Sequence, residues 1–256
     1  MKKNSLLLFT LFSTIILHAQ EQITLSGRVT DFSGNPVDSA IVRVMDRNFK
    51  AQFITYSNID GHYSMAVTKG NYNCIYAIKP SEYRKTKLEY WAWNVPLFED
   101  MEINPQYNNM EIYGISVIEP QVTPNETYMI YFRPMSLKKM ISLVENQNVD
   151  KQSFANAGQA EKLIIPDKQN IYNIAPGMIT PNELSVKVDG INSEIVNIER
   201  VKEYARGMNY YGYLIQIKKP EEIKNQNLVY DKISIQLNSA ETNETGLGEV
   251  FVKRGY

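Results

Sequence analysis

The sequence predicts an all-β fold made of two successive β-sandwiches, the second of which, Ig-like or similar, carries one short helix. Two observations predict this class. Short runs of alternating apolar and polar residues recur along most of the chain, as at residues 211–217, and this is the pattern of a strand with one buried face. Turn-forming clusters of Gly, Pro, Asn and Asp separate the runs, and helical spacing occurs once, after Ser136.

Residues 1–20 have the pattern of a secretory signal peptide. Lys2 and Lys3 precede an almost unbroken apolar run at residues 6–17, and the small residue Ala19 lies near its end. The run is shorter than the roughly 20 residues that a membrane-spanning helix needs. We therefore expect cleavage, with an uncleaved anchor as the alternative, and no later stretch is apolar enough to span a bilayer. The mature chain is expected to be exported.

Residues 21–119, the first half of the chain, are predicted to form a compact set of strands. The turn clusters at residues 31–36 and 58–61 contain the Gly, Asn and Pro that tight turns require. Residues 110–118 are predicted as the closing strand. The earlier strands are predicted at residues 23–30, 40–46, 51–57, 63–67 and 72–78.

The first half also resembles a known family. The order of its motifs is Gly27-Arg28-Val29-Thr30-Asp31, then Gly34-Asn35-Pro36-Val37, then Asp60-Gly61-His62-Tyr63, then Gly70-Asn71-Tyr72. This order is similar to the carboxypeptidase regulatory-like domain over roughly residues 23–118. The resemblance implies a transthyretin-like, seven-stranded sandwich that is non-catalytic and serves as an appendage of secreted or envelope proteins. It identifies a fold and no activity.

The second half, residues 120–256, resembles no family that we identify. A proline-containing linker is predicted at residues 119–124, a strand at 128–132 ended by Pro134, and an amphipathic helix at 136–147 that begins at the cap Ser136. Two polar loops are predicted at residues 148–160 and 238–248. The remaining strands are predicted at residues 163–165, 184–188, 195–201, 211–217, 230–237 and 249–252.

Composition excludes several classes of function. The formal net charge of −1 leaves no basic footprint for nucleic acid. Cys74 is the only cysteine, so no disulfide can form within the chain, and its strand position predicts a small buried hydrophobe. Loss of His18 with the signal leaves His62 as the last histidine, which rules out zinc sites built on several His or Cys ligands. We predict no cofactor and no metal.

Four aromatic residues are the candidate binding residues: Trp91, Trp93, Tyr210 and Tyr211. The two tryptophans are two positions apart on a strand, so they share a face, with Tyr90 on the other. Exposed, they could stack on sugar rings; buried, they would fill a core or the contact between the two halves. Tyr210 and Tyr211 follow a predicted turn that would bring Tyr210 to the surface, and structural tyrosines of a sheet are the alternative.

Acidic and polar clusters give no catalytic residues. Residues 58–61 contain part of an oxygen-ligand loop for calcium, but the acidic spacing of a full site is missing and the turn alone explains them. The pairs in residues 99–102 and 221–222 are expected to be solvated loops. His62 lies inside a turn motif and is not expected to act in catalysis.

The function predicted from these features is that of a non-catalytic binding or scaffold protein of a Gram-negative envelope, in the periplasm or on the outer surface. Its partner would be a glycan, a peptide or an envelope protein. One alternative is a small secreted hydrolase, such as a glycosidase that uses two carboxylates. Another is an accessory subunit of a transporter or surface assembly that docks by adding an edge strand.

Overall fold

A computed structural model describes residues 21–120, 126–146, 171–205, 208–224 and 228–254. The predicted signal peptide, the predicted loop at 148–160 and the predicted strand at 163–165 lie outside these residues. Where the chain is described, strands dominate, so the all-β prediction is confirmed.

The strands follow one another with few helices between them. Those of the first half are β1 (Gln22–Arg28), β2 (Ile41–Met45), β3 (Ala51–Tyr56), β4 (His62–Thr68), β5 (Gly70–Ile78), β6 (Tyr90–Leu97), β7 (Met101–Glu102) and β8 (Met110–Ile118). Those of the second half are β9 (Thr127–Ser136), β10 (Ile171–Tyr172), β11 (Leu184–Val188), β12 (Ile191–Asn192), β13 (Ile195–Ala205), β14 (Met208–Lys218), β15 (Tyr230–Ser239) and β16 (Glu244–Lys253). The helices are α1 (Leu137–Asn146), α2 (Glu221–Lys224) and a 3₁₀ turn at Pro181–Glu183.

The described strands form three sheets. A central sheet of eight strands has the order β12-β11-β15-β16-β6-β5-β2-β3. A three-stranded sheet, β4-β1-β7, packs on one face of its first-half strands. A five-stranded sheet packs on the other face, with the order β8-β9-β14 and with β10 and β13 both paired to β14. Along its first-half strands the central sheet is therefore the middle of three layers, with side chains packed on both faces.

Strand β6 shows the effect of this layering. Seven of its eight residues are buried. Trp91 and Trp93 belong to the main core, between the central and five-stranded sheets, whereas Tyr90 and Val95 belong to the core beneath the three-stranded sheet. The prediction that the tryptophans share a face opposite Tyr90 is confirmed. A strand buried on both faces carries apolar residues at consecutive positions rather than at alternate ones.

Two pairings cross the predicted boundary between residues 119 and 120. Strand β8 pairs antiparallel with β9, and the C-terminal strand β16 pairs in parallel with β6, where Gly248 lies opposite Trp91. The main core accordingly mixes side chains of both halves. The two halves share sheets and a core, and their independence as domains stays a prediction.

Most predicted elements of the described residues are present within a few residues of their predicted bounds. Ser136 caps α1 as expected, because its Oγ accepts the N–H of Lys139 at 3.1 Å. The predicted loop at 238–248 is wrong: β15 and β16 continue to a tight turn in which the Asn243 N–H donates to the Ser239 carbonyl. The predicted end of a strand at Pro134 is also wrong, since β9 pairs with β8 as far as Ser136.

The single cysteine lies in the interior of the protein. Cys74 is fully buried, and burial raises the pKa of its thiol to about 12, which fits the predicted role as a small hydrophobe. Among the described residues, no helix has the length and apolar character to cross a bilayer.

Gly27 is required where β1 passes β7. A Cβ atom at this position would lie 1.8 Å from the backbone oxygen of Ile103, which cannot move without shifting the strand. We expect Gly27→Ala to lower the free energy of unfolding by about 3 kcal/mol, measured by urea denaturation. Gly70→Ala is the matched control, because its new Cβ would make only ordinary contacts with Tyr72 and should change stability by less than about 1 kcal/mol. Equal effects of the two substitutions would contradict this account.

Candidate functional site

A pocket of about 570 Å³ lies where the two halves of the chain meet. The loop before β6, the strands β6, β8, β9, β13 and β14, helix α1 and the segment around β10 all contribute to its wall. Six aromatic side chains line it, namely Phe49, Tyr83, Trp91, Tyr113, Tyr172 and Tyr210. Its charged lining residues are Arg84, Glu89, Glu111, Arg133 and Glu203. Aromatic walls with a few convergent polar groups are typical of ligand sites.

Glu89 and Glu111 form a buried carboxyl pair in this pocket. Glu89 directly precedes β6 and Glu111 lies on β8, and their side chains are hydrogen-bonded to each other. Burial raises the pKa of Glu89, although hydrogen bonds from Glu111 and Tyr83 oppose the rise. Burial, followed by the charge of Glu89, raises the pKa of Glu111 well above its ordinary value. Two touching carboxyls cannot both ionise cheaply, which favours keeping a proton on the pair.

Tyr83 orients one member of the pair. Its hydroxyl donates to Oε1 of Glu89 at 3.1 Å. The other oxygen, Oε2, is buried and receives no N–H from any described residue.

Arg133 is held beside the Glu89–Glu111 pair by another carboxylate, that of Glu203. Its Nε donates to Oε2 of Glu203 at 3.0 Å, and Tyr131 donates to the same oxygen. Partial burial alone would raise the pKa of Glu203, but the hydrogen bonds from Arg133 and Tyr131 outweigh it and hold the pKa below its ordinary value. The guanidinium carbon also lies 4.5 Å from the centroid of the Tyr210 ring. Arg133 thus has one orientation, set by an ion pair and by an aromatic face.

Trp91 and Trp93 are buried, each with 8% of its surface exposed. Their indoles stack on each other at a centroid distance of 5.2 Å, and Tyr113 and Phe49 pack edge-on against both. Trp91 lines the pocket, while Trp93 packs beside it in the main core. The indole Nε1–H of Trp91 has no acceptor among the residues that the structure describes.

Tyr210 and Tyr211 lie on opposite faces of β14. Tyr210 is 8% exposed and packs against Tyr172 at 5.4 Å, so it is a structural tyrosine of the sheet and does not have the surface position that the turn suggested. Tyr210 is part of the pocket wall, and its side chain is therefore buried instead of facing solvent. Tyr211 faces away from the pocket, and the guanidinium carbon of Arg200 lies 3.6 Å from its ring centroid. The structure therefore brings Trp91 and Tyr210 into one site and leaves Trp93 and Tyr211 outside its wall.

The turn at residues 58–61 is explained without a metal. The Oδ1 of Asn58 accepts the backbone N–H groups of Asp60 and His62 at 3.0 and 2.9 Å. Among the described residues, no group of three or more His, Cys, Asp or Glu side chains is placed to hold a metal ion. His62 and the acidic residues at 99–102 and 221–222 lie outside the aromatic pocket.

Sequence reasoning missed the polar half of the pocket. Glu89, Glu111 and Arg133 were assigned to no site, because a charged residue within a strand is ordinarily on its solvated face. A signal exists for Glu111: it lies between Met110 and Ile112 at the start of a strand whose first three residues are all buried. A charge inside a strand that is buried on both faces needs a partner.

No protein-family model matches the chain, and no curated protein matches its sequence. Among solved structures, the chain is similar to a DUF3823 family protein from Parabacteroides merdae, with a TM-score of 0.26 and 8% identity over 91% of this chain and 98% of that chain. It is similar to BcpA, the major pilin subunit of Bacillus cereus, with a TM-score of 0.27 and 10% identity over 91% of this chain and 69% of that chain. The major pilin SpaA of Corynebacterium diphtheriae gives a TM-score of 0.21 and 9% identity, over 91% and 70% of the two chains. TM-scores this low support no conclusion about fold or function.

Proposed function

We propose that the chain is an exported, non-catalytic binding protein of a Gram-negative envelope, and that its aromatic pocket holds part of a glycan. The observation that carries the proposal is the pocket itself, with six aromatic side chains in its wall. Export rests on the signal-like residues 1–20, and the first half would act as the docking module that its resemblance to the carboxypeptidase regulatory-like domain implies.

The size and lining of the pocket support a ligand. Its volume of about 570 Å³ falls within the range of about 300 to 1,000 Å³ that small-molecule sites occupy. Six of its lining side chains are aromatic, and aromatic walls are typical of ligand sites.

The mixture of side chains favours a sugar over a purely apolar ligand. A sugar ring has flat faces of C–H groups and a rim of hydroxyls, so it fits aromatic walls that carry a few oriented polar groups. Phe49 and Tyr83 offer the first kind of surface. Arg133, Glu89 and Glu111 offer the second, and they are held in fixed orientations before any ligand binds.

The arrangement of the carboxyls supports binding rather than glycoside hydrolysis. Retaining enzymes separate their two carboxyls by about 5 to 5.5 Å and inverting enzymes by about 6.5 to 9.5 Å. Glu89 and Glu111 are hydrogen-bonded to each other, which leaves no room between them for a sugar carbon or a water. Glu203 is neutralised by Arg133 and so is a poor nucleophile or base.

The experiment is a binding screen with a sterically blocked variant. Residues 21–256 are tested by saturation-transfer NMR against methyl glycosides of common hexoses and against short peptides. We expect glycosides to bind, and Ala205→Trp, which fills the pocket from β13, to weaken binding at least about tenfold, equivalent to about 1.4 kcal/mol. Val196→Trp adds the same side chain at an exposed position of β13 and should bind as the native chain does. Failure of every glycoside to bind, or unchanged binding by Ala205→Trp, would reject the proposal.

A further inference from the structure

Strand β3 forms one edge of the central sheet. It pairs with β2 on one side, and no other described strand pairs with it. An edge strand presents a row of backbone N–H and C=O groups that a further strand can bind. With six residues, β3 has the usual length of a strand, so a complete partner strand fits beside it.

The two faces of β3 have different surroundings. Phe53 packs against the core beneath the three-stranded sheet. Ile54 and Tyr56 point to the opposite face, where they are 53% and 62% exposed. Ile59, in the turn that follows β3, is 76% exposed. Large apolar side chains that are exposed close together mark a surface that contacts another molecule.

Strand β3 carries no charged residue that would block pairing. Its sequence is Ala-Gln-Phe-Ile-Thr-Tyr. Natural edge strands are ordinarily protected by charges, by proline, by a bulge or by being very short. At the opposite edge of the same sheet, β12 has only two residues, and the long edge strand β13 of the five-stranded sheet carries four charged residues, Glu199, Arg200, Lys202 and Glu203. The edge at β3 has none of these protections.

A second copy of the chain supplies a strand that fits this edge. Two identical strands related by a two-fold axis perpendicular to the sheet are antiparallel, and the residue at the axis lies opposite itself. With Ile54 at the axis, Tyr56 of each copy lies opposite Gln52 of the other, so no like charges meet. When β13 is paired with itself in the same way about its middle residue, Arg200, two guanidinium groups meet. Self-pairing therefore suits β3 and not β13.

We infer that the chain forms a dimer in which the β3 strands of two copies pair antiparallel across a two-fold axis at Ile54. The central sheets of the two copies then join into one. The pairing provides partners for the backbone groups of the open edge, and it brings the exposed side chains of Ile54 together. Because a single six-residue strand makes the contact, the dimer belongs to the small, reversible class of interfaces. The inference does not depend on the proposed sugar binding.

Sedimentation of residues 21–256 tests the dimer. We expect the native chain to shift from monomer to dimer as its concentration is raised to about 300 μM. Ile54→Lys places two like charges opposite each other at the axis and should raise the dissociation constant at least about tenfold. Val196→Lys makes a similar change on β13, where the native residue is 50% exposed, and should dimerise as the native chain does. A native chain that stays monomeric, or unchanged dimerisation of Ile54→Lys, overturns the inference.

Cysteine crosslinking tests the register of the pairing. Residues directly opposite each other in an antiparallel pair have Cα atoms about 4.5 to 5.5 Å apart, which a disulfide can span. We expect Ile54→Cys to form a covalent dimer under mild oxidation, and Val196→Cys, at a similarly exposed site, to stay uncrosslinked. The native Cys74 is buried and should not react. Thermal unfolding of the reduced variants checks that each is folded, and equal crosslinking of the two variants would contradict pairing through β3.

Discussion

A chain cut after residue 119 is expected not to fold by itself. The cut removes β16, the parallel partner of β6, and β9, the antiparallel partner of β8. It also strips the second-half side chains from Trp91, Trp93, Met110 and Ile112, all of which lie in the shared core. Each fully buried side chain of this size contributes about 1.5 to 3 kcal/mol. The loss over four such residues is comparable with the whole stability of a domain, about 5 to 15 kcal/mol.

The measurement is urea unfolding of residues 21–119 beside residues 21–256, followed by circular dichroism, with amide NMR spectra of both. We expect a single cooperative transition for the long chain, and none for the short one. Mixing residues 21–119 with residues 120–256 is the control, because the missing strands are then supplied in trans. A cooperative transition and a dispersed spectrum for residues 21–119 alone would instead establish an independent first domain.

Local patterns in the sequence predicted the local structure well. Alternating residues predicted β11 and β15, since a strand with one buried face must alternate. The turn at residues 58–61 was predicted from Asn58 and Gly61, and Gly61 does have a positive φ of 81°. The helix was predicted from the cap Ser136 and from apolar spacing, and both features are present.

Long-range pairing could not be predicted in the same way. Strand β16 pairs with β6 across more than half of the chain, and nothing in either segment encodes the register. The polar residues of 238–248 indicated a loop, yet this segment continues β15 and β16. Gly246 and Gly248 lie in β16 because Met110 and Ile112 pack against their backbones, where a Cβ would lie 2.9 Å or less from these residues. A glycine required by close packing between sheets looks, in sequence, like a glycine required by a turn.

The candidate site was predicted in part for a related reason. Trp91 and Tyr210 were chosen because large aromatic residues line sites and cores alike, and the structure places both in the pocket wall. Glu89 and Glu111 were missed because their proximity depends on how three sheets stack. A pair of carboxyls acquires its chemistry from contact, and contact between β6 and β8 is a property of the tertiary fold alone.

The contact between Glu89 and Glu111 makes the stability of the protein depend on pH, whether or not a ligand is bound. In the folded chain, Tyr83, Tyr76, Arg84 and Arg133 face the pair, and the net effect of burial is to raise the pKa of both carboxyls. In the unfolded chain, a glutamate loses its proton near pH 4.3. Above that value the folded state binds more protons than the unfolded state, so stability falls as pH rises until the raised folded pKa is passed.

Replacing Glu111 with Gln is therefore expected to make the protein more stable at about pH 8 and to flatten its pH dependence above about pH 5. The amide keeps the volume and a hydrogen-bond donor without needing a proton, so the penalty of up to about 1.4 kcal/mol per pH unit is removed. Urea midpoints of the native chain, Glu111→Gln and Glu199→Gln at several pH values measure this directly. Glu199→Gln makes the same chemical change at an exposed position of β13, so the difference between the two variants isolates the pair. A native slope that Glu111→Gln does not reduce would mean that the two carboxyls hold no extra proton in the folded state, because the native chain and Glu111→Gln share every other titrating group.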